Sequence, residues 1–302
     1  MIPILLGVSF ITFGLMYLSP NDPAEMMLIA QGVPTSPEVL EKMQIRMGLD
    51  KPFLTQYLTW LLNFCKGDLG ESYVLGQTVL DMIVAALPVT LKLAFYSCLM
   101  TLIFAIPLGV LSAVKQNKFT DYFIRITSFA GVSIPGFFLS LLLIYFFSLK
   151  LKWLPVLGAE SAKGMILPVA TLSVAMICKY IRQIRAAVLE ELNKGYVKGA
   201  RSRGVKESVI VCANVLKNAM LTIITLMVLS AGSLLGGTAI VERIFVIPGL
   251  GNMVMDAISA RDYPVIQGFV AWMAIIFTVI NLLADISYQF LDPRIRWKGK
   301  NE

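Results

Sequence analysis

LAFYSCLMTLIFAIPLGVLSAV, Leu93 to Val114, runs for 22 residues without a charge. A bilayer's hydrocarbon core of about 30 Å is crossed by about 20 apolar residues in a helix, so this stretch is long enough to span it. Outward from it, four more runs reach that length: the start of the chain up to Asp22, Ile126–Leu149, Asn218–Val241 and Tyr263–Ala284. A sixth, Gly164–Cys178, is shorter and continues past Lys179 if that ammonium snorkels toward the headgroups. Six membrane-spanning helices are expected, in an all-α polytopic membrane protein. The composition agrees, with 57% apolar and 15% charged residues and a mean hydropathy of +0.75.

Basic residues are retained on the cytoplasmic side of spans. Segments 115–125, 179–217 and 291–302 hold three, nine and four of the 26 Lys and Arg, whereas 21–85, 150–165 and 242–262 hold four, three and two. Both termini are therefore expected to be cytoplasmic. The net charge of +7 follows this distribution, which removes nucleic acid as a partner and leaves the lipid bilayer of the cell membrane. Of the four cysteines only Cys65 faces outward, so no disulfide within the chain is expected.

The first run is read as a retained anchor over 1–20, since it lacks a basic start and a small-x-small cleavage site. Basic residues ahead of it are missing, and a start upstream of Met1 would supply them. Segment 21–87 carries eight acids against four bases and is expected to form a small extracellular helical cap. Ser36-Pro37-Glu38 with Val39, Leu40, Met43 and Met47 gives one capped amphipathic helix, and Pro52 to Phe64 a second. Tyr57, Trp60, Leu61 and Phe64 on the latter suit packing against the spans better than a partner. Residues 88–290 form the membrane domain with five helices, and 291–302 a cytoplasmic tail.

The sequence has no histidine, which removes His-dependent triads and HExxH zinc sites, and no GxxxxGK[ST] phosphate cradle. No catalytic residue and no metal site are expected. No cofactor is expected on this chain, and if transport uses ATP, another subunit must hydrolyse it. Of the ionisable groups within the runs, Asp285 stands in the last span, while Lys92 and Lys179 lie near span ends. Thr222, Thr225, Ser233 and Gly236 fall within an arc of about 80° on the fifth span, which suits a pathway wall and close helix packing equally.

The long basic segment at about 190–217 reads as helix, turn, helix beneath the membrane. Glu190 to Arg203 is helix-compatible, Gly204 supplies a positive-φ exit, and Lys206 to Leu216 can resume. Lys198, Arg201, Arg203 and Lys206 are expected on the exposed side, with Val197 and Ala200 as an apolar ridge for a partner's groove.

Here Lys198-Gly199-Ala200-Arg201-Ser202-Arg203-Gly204 resembles the EAA coupling loop of type I ABC importer permeases, matching its Ala and Gly but not its leading Glu-Ala. More specific are ordered matches along nearly the whole chain to the B-type permeases of the dipeptide, oligopeptide and nickel importers. They include Leu18–Pro23, Met47–Pro52, Gly67–Ser72, Ser133–Phe137, Leu216–Ala219, Glu242–Phe245 with Pro248–Gly251, Arg261–Val265 and Leu291–Arg294.

The resemblance implies a second homologous permease, two ATPase subunits and an extracellular solute-binding protein. Lys198 to Gly204, with Lys206, would be the coupling element, and Glu242, Pro248, Gly249 and Gly251 would lie near the binding protein. Gln31–Pro37, Lys152–Pro155 and Leu235–Thr238 look more like nickel-type permeases, so nickel or a metal chelate is the expected solute, with di- or oligopeptides as the alternative. A missing histidine does not oppose nickel, because affinity in such systems resides in the binding protein. A channel or secondary transporter would leave the basic loop unexplained, a membrane enzyme would need a nucleophile or metal cluster, and a purely structural subunit would leave the loop idle.

Overall fold

The computed structural model describes residues 2–18, 22–157 and 161–291. Among them there is no strand, only a bridge between Glu71 and Thr78, and the chain is otherwise helical. The helices are α1 (Ile2–Tyr17), α2 (Pro23–Ala30), α3 (Pro37–Met47), α4 (Phe53–Cys65), α5 (Val79–Val114), α6 (Phe119–Ser133), α7 (Gly136–Leu143), α8 (Ile166–Leu192), α9 (Gly195–Ser202), α10 (Glu207–Val209), α11 (Leu216–Ile244), α12 (Leu250–Ala260) and α13 (Tyr263–Leu291). Wider π-helical turns continue α7 through Ile144–Lys150 and join α10 to α11 through Ile210–Val215.

Three described helical stretches, 79–114, 207–225 and 263–283, are long and apolar enough to cross a membrane. The expected single span over Ile126–Leu149 is instead broken: α6 and the helix after it are bent by 99°. Pro135 causes this, since it has no N–H to donate and disfavours the α conformation in the residue before it. Ile134 is extended at φ −80°, ψ 121° and Pro135 at φ −60°, ψ 136°. Similarly, α5 begins at Val79, inside the segment expected to be cap, where Thr78 and Asp81 form a reciprocal cap: the Asp81 amide donates to Thr78 Oγ1 at 3.3 Å and the Thr78 hydroxyl donates to the Asp81 carboxylate.

The chain divides into two compact units, 1–90 with 248–278, and 91–247 with 279–302. In the first, Leu69, Val79, Ile83 and Ala86 pack with Leu250, Ala257 and Val265. Gly268 is needed there for space, because a Cβ would meet Val79 Cγ1 at 2.5 Å. Pro23 opens α2 at its first turn, and the Asp22 carboxylate accepts the Ala24 amide at 2.9 Å, which explains Asp22-Pro23 as a helix start. Gln44 Nε2 also donates to Asp22 and ties α3 to α2. Tyr57 packs edge-on to Phe10 and Phe13 of α1, with centroids 5.2 and 5.6 Å apart, and its hydroxyl meets Ser9 Oγ at 2.9 Å. The aromatic face of α4 therefore packs on the first helix.

In the second unit, α8 is the central element, and Tyr180, Ile181, Ile184 and Val188 are buried with Ala105 and Ala113 of α5, Ile124 of α6, and Ala219 and Ile223 of α11. Gly109 and Gly131 allow this closeness: a Cβ on Gly109 would lie 2.7 Å from Ile184 Cγ2, and one on Gly131 2.3 Å from Cys178 Sγ.

Candidate functional site

The basic helix–turn–helix lies wholly within the second unit. α8 ends at Leu192, Lys194 is extended at φ −71°, ψ 151°, and α9 follows at once. α9 is stopped by a Schellman turn: the Gly204 amide donates to the Arg201 carbonyl at 2.9 Å and the Val205 amide to the Ala200 carbonyl at 3.2 Å, with Gly204 at φ +75°. Lys206, extended at φ −58°, ψ 136°, then leads into α10 and on to α11.

Val197 and Ala200 do not form the expected outward ridge. They are 0% and 4% exposed and buried with Val188, Ile210 and Val215. A helix of eight residues is marginal alone, and two apolar side chains seated in the core fix it to the ends of α8 and α11. Each such side chain contributes about 1.5 to 3 kcal/mol of apolar burial at most, less for Ala.

Outward stand Lys198, Arg201, Arg203 and Lys206, all exposed, with Gly199 half-buried beside them. Arg201 is already paired within the chain, its Nε and Nη2 lying 3.0 and 2.5 Å from the Glu207 carboxylate across the turn. Lys194 pairs with Glu191, which also accepts from the Tyr196 hydroxyl at 2.8 Å. Lys198, Arg203 and Lys206 are thus the cations presented beyond the turn.

A feature that sequence reasoning missed supports this segment. Asp121 is fully buried, and its carboxylate accepts from Arg185 Nε and Nη2 at 2.7 and 2.8 Å, from Ser112 Oγ at 2.6 Å and from the Asn117 amide at 2.9 Å. One carboxylate so joins α5, the α5–α6 turn, α6 and α8. The lone acid among the bases of 115–125 was the only signal of it.

The other expected site residues scatter. On α11, Thr222 and Gly236 are exposed and Thr225 half-buried, while the side chain of Ser233 lies outside the described residues, as does that of Asp285 on α13. Glu242 is 0% exposed, and Gly249 and Gly251 are buried, so only Pro248 of that group stands at the surface. Around them, Ile247 N–H donates to the Glu242 carbonyl at 2.8 Å, and Leu250 N–H donates to Thr90 Oγ1, 160 positions away, at 2.8 Å.

Comparison with known proteins bears on the whole chain. A solved structure of the MetNI methionine ABC transporter in inward facing conformations matches 70% of this chain and 96% of its own, with a TM-score of 0.58 at 19% identity, a likeness of fold. The metal-staphylopine import system permease of Staphylococcus aureus is 39% identical over 98% of this chain and 95% of its own length. The glutathione transport system permease of Escherichia coli is 38% identical over 99% and 96%. A Brucella abortus protein named provisionally as a peptide transport system permease is 37% identical over 98% and 96%.

Residues 1–94 match the N-terminal family of binding-protein-dependent transport system membrane components. With residues 105–297 matching the description "binding-protein-dependent transport system inner membrane component" and such relatives along its full length, the chain belongs to that family as a permease subunit of an ABC importer, and the ATPase is a separate subunit.

Proposed function

We propose that this chain forms one half of a translocation pathway with a second homologous permease, driven by two ATPase subunits that hold ATP and Mg, and fed by an extracellular solute-binding protein. Its six spans, with both termini cytoplasmic, are supported by the distribution of Lys and Arg. The carrying observation is the anchored turn: Val197 and Ala200 fix α9 inward while Lys198, Arg203 and Lys206 face out from it. An ATPase gripping that turn would move α8 and α11 with it.

The solute is a metal chelate, nickel included, on the strength of the metal-staphylopine relative. A second reading, a small peptide or glutathione, rests on relatives of nearly equal identity. The test is ATPase stimulation of the reconstituted complex with its binding protein. Stimulation by a nickel chelate alone establishes the first reading, and stimulation by peptides or glutathone-type thiol peptides alone establishes the second.

A further inference from the structure

Lys179 lies well inside a helix rather than at its end. It comes 13 positions after Ile166 in α8, which at about 1.5 Å per residue is about 20 Å along the axis. That distance is about two thirds of the thickness of a hydrocarbon core of about 30 Å. An ammonium at that depth needs water or an anion.

The second unit gives it room. A cleft of about 340 Å³ between α7, α8 and α11 is lined by Gly136, Thr171, Ala175, Lys179, Tyr180 and Gly237, among others. That volume lies within the range of small-molecule sites. Thr171, Ala175 and Lys179 recur every four residues and so share one face of α8. A Cβ added at Gly136 or Gly237 would meet nothing within 4 Å, so the space is open. Lys179 Nζ lies 5.9 Å from the Tyr180 ring centroid, a cation–π contact, and no ion pair among the described residues involves it. The cleft thus offers an apolar wall with one cation in it.

We propose that this cleft is a transit site and that Lys179 receives a carboxylate of the solute as it passes. This rests on the reading above that the solute is a chelate or peptide, since a peptide ends in a carboxylate and aminocarboxylate chelators carry several. The same ammonium could instead meet the headgroup of an anionic lipid, and the experiment separates the two.

The full complex, with its binding protein, is reconstituted in vesicles of phosphatidylcholine alone and with phosphatidylglycerol added. Uptake of nickel–EDTA, glutathione and trialanine is measured for wild type, Lys179→Gln and Lys179→Arg, together with ATP hydrolysis. The expected result is that Lys179→Gln lowers uptake of the transported probe about tenfold or more in both vesicles, that Lys179→Arg restores most of it, and that stimulated ATP hydrolysis persists. Wild-type uptake by Lys179→Gln overturns the assignment, and so does a defect that appears only with phosphatidylglycerol, which would make the anion a headgroup. A wild-type complex that moves none of the three probes overturns the solute reading, and the transit site with it.

Discussion

The Asp262 carboxylate accepts a hydrogen bond from Ser72 Oγ at 2.5 Å, joining residues 190 positions apart. The Tyr73 and Val74 amides add to it at 3.1 and 3.5 Å. Two of the family-like segments, Gly67–Ser72 and Arg261–Val265, are thereby one piece of structure in the first unit. Both partners are buried, Ser72 to 1% and Asp262 to 3% exposed. Asp262→Ala strands a hydroxyl and two amides, and an unmade buried hydrogen bond costs about 1 to 3 kcal/mol. The expected outcome is a lower melting temperature in detergent and faster proteolysis between α4 and α5, with Asp262→Asn losing less.

Tyr73 beside it is predicted to titrate late. Burial, then the nearby Asp262 and Asp22 charges, push its phenol well above the ordinary tyrosine value. A folded pKa above the unfolded one means that the neutral phenol's contribution is fully present below about pH 10 and is lost as pH rises through the folded value. The wild-type minus Tyr73→Phe difference absorbance near the tyrosinate band should therefore stay flat past pH 10 and rise only beyond it. A rise centred at pH 10 would place Tyr73 in open water.

The Asp121–Arg185 pair predicts a different asymmetry. Removing one member of a buried pair leaves the other uncompensated, at a cost of about 3 to 5 kcal/mol. Arg185→Ala and Asp121→Ala are each expected to destabilise the protein strongly, while the double variant with apolar residues recovers part of the loss. A double-mutant cycle on thermal stability measures this, and additive losses would show that the two groups do not interact.

The all-helical, apolar character of the chain was legible because a bilayer imposes one plain demand, about 20 apolar residues per helix, and charge is the punctuation. The turn at Gly204 was legible because only a residue without a Cβ takes φ +75° at little cost. The break at Pro135 was hidden by composition, since Ile126–Leu149 stays apolar across it and hydropathy is blind to direction. Val197 and Ala200 were misplaced because α9 is too short for a periodic pattern to show which face is covered, and only the packed Val188, Ile210 and Val215 decide it. Asp121 with Arg185, 64 positions apart, and Ser72 with Asp262 are pairings that no local pattern encodes.

Gly204 gives the sharpest separation of structure from coupling. Apart from its chain neighbours, no atom lies within 4 Å of where its Cβ would be, so the position has room for a side chain to start. The left-handed backbone costs about 1 to 2 kcal/mol for a residue with a Cβ. Gly204→Trp should therefore fold with a small loss of thermal stability, yet place an indole beside Lys198, Arg203 and Lys206 where an ATPase would seat. In reconstituted complexes the expected result is continued ATP hydrolysis with uptake reduced about tenfold or more, and Gly204→Asn, which tolerates the left-handed region, should behave close to wild type. Charge reversal at Arg203, whose backbone amide rather than its side chain ties it to Gly199 and Ala200, should uncouple likewise, whereas Arg201→Glu would also repel Glu207 and loosen the turn itself. Wild-type uptake by both Gly204→Trp and the Arg203 reversal would mean that this turn is not where ATP hydrolysis meets the spans.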